Sequence, residues 1–283
     1  TWKTAAKPGD IIFLRVVAAN TGGHSLPSSV VGVAAGCGPA EALVVQGFTR
    51  MSASQLPRDD LAKWSLKSVQ RLRQWKMNTY DYTAAHIAAL AKAGVSADGV
   101  ERDGFSDVDL STYALLDWAA GEQSIDDGVW TAADRKLLAG WLNGGAGRAL
   151  WATGSEIAWS VGSKGGKEAA DWLATWFGAS YAADDAKTYD ATMTFAGQST
   201  PITLCSGDDQ CEVGQYDVDW PDVLKPNGAT EIGSWGGAVG GAAAVQYNVG
   251  AAKTALFGFP LEAITSAAVM QQVVTATVKA LGV

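Results

Sequence analysis

The feature that most constrains this chain is a change of grammar after Gly36-Cys37-Gly38-Pro39, where short apolar runs begin to alternate with amphipathic helices. Ala42 to Val45 reads as a buried strand running into Gly47. Thr83 to Lys92 reads as a helix closed by Gly94. Tyr113 to Trp118 is a second apolar strand, ending at Gly121-Glu122. Thr131 to Leu142 is a helix, with Thr131 and Asp134 at capping-box spacing and Gly144-Gly145 beyond its end. Ala149 to Thr153 is a strand that stops at Gly154-Ser155-Glu156, and Lys167 to Phe177 is the helix that follows. Thr254 to Phe259 and Ser266 to Leu281 form a closing strand and helix. Strands that alternate with helices predict an α/β fold with a parallel sheet and right-handed crossovers. Between 180 and 250 the pattern changes to TYDATMTF, PITLC, QYDVDW and AAAVQYNV, which predict an antiparallel β insertion, either as a subdomain or as an extension of the sheet.

The balance of residues fits a folded domain. Of 283 residues, 48% are hydrophobic and 18% charged, enough to bury a core. The formal net charge of −8 repels phosphate backbones, so nucleic acid is not expected as a partner. No apolar run approaches the roughly 18 residues of a membrane span, and none is expected. Thr1 opens directly into polar residues; a leader removed upstream, or a downstream piece of a longer protein, accounts for that opening. Cys205 and Cys211 lie in LCSGDDQC, whose Ser, Gly and Asp residues turn easily. A disulfide-closed loop is expected there, against two free thiols or a metal pair, and it favours an oxidising, extracellular setting. Cys37 is left over, either as a buried thiol or paired outside this sequence.

Chemistry in an open parallel sheet gathers outside the carboxyl ends of the strands. Glu122 follows one strand, Ser155 and Glu156 the next, and Glu262 the last. Asp81 and His86 in NTYDYTAAH begin a helix that can face the same edge. Carboxylates crowded on one rim raise each other's pKa and suit acid–base work. Each residue also has an ordinary structural use. Ser155 suits a helix N-cap, Glu156 the positive end of a helix dipole, and Glu122 the start of a loop. His86 suits a satisfied helix histidine and Asp81 a helix cap. Trp220 and Trp235 stand in polar or Gly-rich surroundings, where exposed rings would stack on a glycan, although packing is the commoner use of tryptophan. GSWGGAVGGAAA lacks the Lys-Ser/Thr of a phosphate-binding loop and reads as a hairpin, and no cofactor or metal motif is expected.

Two resemblances bear on organisation. DIIFLRVVAANTGGHSLPSSVVGV resembles the last two strands of a fibronectin type III module, with a turn at Gly22-Gly23, which implies a partial module over 1–36 and an α/β domain over 37–283. Two strands leave half a sandwich uncovered, so another chain, or a precursor fragment, is the implied partner; alternatively the hairpin packs on the main domain. NTYDYTAAH, LLDWAAGEQS, ALWATGSEIAW and ALFGFPLEAI together resemble a C-terminal α/β domain of secreted bacterial multidomain proteins. Those proteins pair fibronectin type III modules with N-acetylmuramoyl-L-alanine amidase or golvesin/xanthan-lyase-type architectures. The resemblance implies a flavodoxin-like domain akin to class I glutamine amidotransferases. It puts Gly154-Ser155-Glu156 at the strand-to-helix elbow where those relatives hold a nucleophile. The chain departs from them in having no Cys at the elbow and no late His, since His24 and His86 are its only two. The expectation is a secreted hydrolase or hydrolase-associated domain acting on peptidoglycan, polysaccharide or protein. The other class is a non-catalytic glycan-binding or assembly module.

Overall fold

In the computed structural model, the described residues are 6–36, 38–50, 58–70, 81–125, 128–207, 211 and 215–283. Cys37, and the start of the NTYDYTAAH stretch at 78–80, lie outside them.

The front of the chain forms β1 (Ile11–Leu14), β2 (Ala19–Asn20), β3 (Gly23–His24) and β4 (Val31–Ala34). The α/β alternation then runs through β5 (Ala42–Gln46), β6 (Arg58–Asp59), β7 (Val69–Gln70), α1 (Thr83–Lys92), β8 (Ala97–Glu101) and β9 (Leu115–Gly121). It continues with α2 (Ala132–Asn143), β10 (Ala149–Gly154) and α3 (Gly166–Phe177). The insertion supplies β11 (Ala179–Ala183), β12 (Asp190–Phe195), β13 (Gln198–Thr203), β14 (Val223–Pro226), β15 (Thr230–Trp235) and β16 (Ala242–Val249). β17 (Ala252–Phe257) and α4 (Ala267–Leu281) close the chain.

Every residue of β5, β9 and β10 is buried, as a strand covered on both faces requires. β8, β5, β9, β10 and β17 are mutually parallel and lie in that order. Renumbered by chain position the order is 2-1-3-4-5, the flavodoxin-like arrangement. α1 and α4 cover one face of this sheet, and α2 and α3 the other. α2 starts with the expected capping box: Thr131 N donates to Asp134 Oδ2 at 2.8 Å, and Asp134 N donates to Thr131 Oγ1 at 3.1 Å. β8 (ADGVE) has no expected counterpart, because a glycine and two acids hide its pattern.

Antiparallel strands extend the parallel core on both sides. β16, β15, β12 and β13 follow β17, which places the 180–250 insertion in the same sheet. The Gly-rich stretch is the β15–β16 hairpin, as expected. On the other edge β4 pairs antiparallel with β8, and β1 with β4. The front segment therefore joins the main sheet, with β2 and β3 as a small hairpin turning over Gly22. One expected strand corrects: QYDVDW pairs with no strand among the described residues. Tyr216 and Val218 are buried and their neighbours are not, so its period-two pattern is met by side-chain burial instead of a ladder.

Candidate functional site at the strand-end rim

β5, the first parallel strand in the chain, lies between the second and the third, so the crossovers diverge between β5 and β9. There, at their carboxyl ends, an open α/β sheet forms its crevice. Phe48 follows β5 and packs against Gly121 at the end of β9. Gly121 has φ +54°, and a Cβ there would sit 2.1 Å from the Phe48 ring. Only glycine satisfies both constraints. Phe48, Tyr82 and Tyr216 then form an aromatic cluster, with centroids 4.9 to 5.6 Å apart.

Glu122, Ser155, Glu156 and Glu262 all occupy this edge and are buried. The segment 215–222 is strapped across it. Gln215 Nε2 donates to the Glu262 carbonyl at 3.2 Å and the Ile264 carbonyl at 2.8 Å. The Tyr216 hydroxyl donates to Glu262 Oε1 at 2.6 Å, and Asp219 N to Glu122 Oε1 at 2.7 Å. Asp222 N donates to the Ser155 carbonyl at 2.9 Å and the Gly258 carbonyl at 2.8 Å. The expected disulfide is present: Cys205 and Cys211 are bonded, with Cα atoms 5.1 Å apart, just ahead of the strap.

Beneath the strap lies a buried ion cluster. His86 Nδ1 is 2.8 Å from Asp117 Oδ2, and Nε2 is 3.2 Å from Glu262 Oε2. Both partners are carboxylates, which accept, so both ring nitrogens donate and the ring is an imidazolium. Burial by itself pulls the His86 pKa down. The charge and hydrogen bond of Asp117, with those of Glu262, outweigh it and lift the pKa to about 10. Burial, and the charges of Glu262 and Glu122, push the Tyr216 hydroxyl well above its ordinary value. Sequence reasoning brought His86 and Glu262 to one edge and missed Asp117 and Tyr216. The available signal was a lone carboxylate inside the apolar run LLDWAA.

A second acid group sits where β9 and β10 end. Burial raises the Glu156 carboxyl; the Ser124 hydroxyl, which donates to it, pulls it back, Asp184 and Asp219 raise it, and Arg50 opposes them. Asp222 is pushed well above its ordinary value by burial, although the Trp159 and Ala158 N–H groups both bond its carboxylate. Asp222, Ser124, Arg50 and Asp219 were not singled out from sequence; they follow from where the strap crosses.

The other expected residues fall as follows. Ser155 is fully buried, and its hydroxyl has no hydrogen-bond partner among the described residues. Its backbone is not left-handed, so the strained nucleophile elbow implied by the resemblance is not formed. Asp81 is half-buried and accepts Ala84 N with its carbonyl at 2.9 Å; α1 has no side-chain cap. Trp235 corrects the expectation of exposure: it is buried, its indole donates to the Asp222 carbonyl at 3.0 Å, and its ring meets Phe259. Trp220 is exposed at 48%, with φ +44°, a strained backbone for a bulky residue and more so before Pro221.

No family model and no curated protein matches the chain. Solved structures do. Gan42B, a GH42 β-galactosidase from G. stearothermophilus, matches at a TM-score of 0.51 and 15% identity over 86% of this chain and 30% of that one. Its catalytic mutant matches at 0.51 and 15% over 88% and 31%. A putative ThuA-like protein from Parabacteroides merdae matches at 0.41 and 11% over 87% of this chain and 91% of that chain. The likeness is one of fold. This chain spans under a third of each Gan42B chain. Among the described residues no group of three or more His, Cys, Asp or Glu is arranged to hold a metal ion. No described helix is long and apolar enough to cross a membrane.

Proposed function

We propose that this chain is a hydrolase-associated domain of a secreted bacterial protein, and that it contacts an extracellular glycan at the rim over β9 and β10. The observation that carries this reading is Trp220. A half-exposed indole held at φ +44° on a strap otherwise bonded to three strand ends is backbone strain that presents an aromatic face to solvent. Acidic side chains that can accept from sugar hydroxyls lie near it: Asp219 is its neighbour in sequence, and Glu156 interacts electrostatically with both Asp219 and Asp184. Trp159 and Tyr181 add a further ring pair, 5.4 Å between centroids. The β-galactosidase chains that share the fold act on sugars, and the share of them covered here is that of one domain in a larger hydrolase. The disulfide accords with an oxidising compartment.

Trp220→Ala is expected to weaken binding of soluble polysaccharide or peptidoglycan fragments about tenfold, since one lost aromatic face costs on the order of 1–2 kcal/mol. Tryptophan fluorescence titration reads this out. Wild type that binds no glycan in a broad panel, or a variant that binds as wild type does, removes the reading.

A second reading, that the rim itself hydrolyses polymer, is favoured by the raised pKa of Glu156, which suits a proton donor. His86 is committed to two carboxylates and offers no base to Ser155, so Glu156 would lead. Glu156→Gln should then abolish turnover; on the first reading it weakens glycan binding and there is no turnover to lose.

A further inference from the structure

On the face covered by α1 and α4, four side-chain atoms are buried with no hydrogen-bond partner among the described residues. They are Gln46 Oε1, Asp117 Oδ1, Trp151 Nε1 and Thr153 Oγ1. They come from three adjacent parallel strands. The register sets Gln46, Ala119 and Thr153 in one row across β5, β9 and β10, and Val44, Asp117 and Trp151 in the row before it. Val44 and Trp151 pack in the core shared with α1 and α4, so strand alternation sends Gln46, Asp117, Ala119 and Thr153 to the same face. Ala119 is the centre of its row. Its methyl is shorter than the side chains on either side.

The orientation of two of the four is fixed. Gln46 Nε2 donates to the Phe48 carbonyl at 2.9 Å, so the amide oxygen is the free end. Asp117 Oδ2 is held by His86, so Oδ1 is the free oxygen. The four atoms then present two acceptors, one indole donor and one hydroxyl that does either. A cation does not suit the Trp151 N–H, and an anion does not suit Asp117. A molecule with two donors and two acceptors complements the set, and buried waters take two to four such partners.

We infer that a water molecule is bound over Ala119, donating to Gln46 Oε1 and Asp117 Oδ1 and accepting from Trp151 Nε1 and Thr153 Oγ1. It ties the His86–Asp117 pair to the Gln46 amide, and through it to the Phe48 carbonyl where the chain leaves β5. The site does not depend on whether the rim contacts glycan.

A high-resolution crystal structure of the whole chain tests it. The expected result is a density peak within hydrogen-bonding distance, about 2.7–3.2 Å, of at least three of the four atoms. A dry site, or Asp117 Oδ1 bonded directly to Thr153 or Trp151, overturns it. Ala119→Ser provides a second arm: the new hydroxyl should displace the water, and a peak unchanged in that variant also overturns the assignment. In solution the wild-type Trp151 indole proton should cross-relax with a long-lived water; its absence counts against the site, and this measurement needs no variant to fold.

Discussion

His86 takes both of its ring protons into the core, and that makes alkaline pH its weak point. Its folded-state pKa, about 10, lies above the ordinary value of 6.5. The charged ring therefore contributes its full stability below about pH 6.5, and the contribution declines as pH rises and is gone above about 10. Denaturant unfolding at pH 6 and at pH 10 should show a loss of a few kcal/mol in wild type that His86→Gln does not share. A stability that stays flat across that window would refute the imidazolium. Asp117 supplies the leading contributions that raise the pKa. Asp117→Asn is accordingly expected to move the His86 titration, followed by NMR, back toward neutral pH; an unmoved titration would mean that Glu262 alone holds the charge.

At the scale of elements, the strap at 215–222 decides what the rim presents. It lacks a ladder partner among the described residues and is held by bonds to Glu262, Glu122 and Ser155, each on a different strand end. The disulfide fixes the chain leading into it: Cys205 N donates to the Ala263 carbonyl, and Val218 N to the Cys205 carbonyl. Cys205→Ser with Cys211→Ser should lower stability by roughly 2–3 kcal/mol, the loss expected for a short closed loop. Amide exchange at Tyr216 and Val218 should quicken at the same time. Unaltered exchange there would show that the side-chain bonds alone suffice to hold the strap. The elements legible in the sequence were those with a local pattern. α1 was expected at Thr83 to Lys92 and lies there, and α2, α3 and α4 begin within one residue of expectation. β8 and the strap were misread because burial of their side chains depends on what lies across from them, which no local period records.

For the molecule as a whole, the sheet is a gradient. β5, β9 and β10 lie inside it with strands on both sides and helices on both faces, while β1 and β13 end its main path and β11, which pairs with β14 alone, ends a branch. Hydrogen exchange should be slowest in the three central strands and fastest in these terminal strands, because local opening costs least where one neighbour is absent. Comparable protection in β1 and β10 would contradict this reading of the sheet. The edges also differ. β13 carries Pro201, which removes a donor and blunts pairing, whereas β1 reads IIFL with Ile11 and Phe13 exposed.

The sequence by itself determined the parallel core and the edge on which Glu122, Glu156 and Glu262 gather, because apolar runs followed by glycine mark where buried strands stop. It did not contain the pairing of His86 with Asp117, the crossing of the strap, or the burial of Trp235. Those depend on contacts between residues 31 to 176 positions apart for His86, and 97 apart for the Asp219–Glu122 bond. Hydrophobic period is a local property, whereas the partner of a buried charge is chosen by the packing of elements that meet only when the chain has folded.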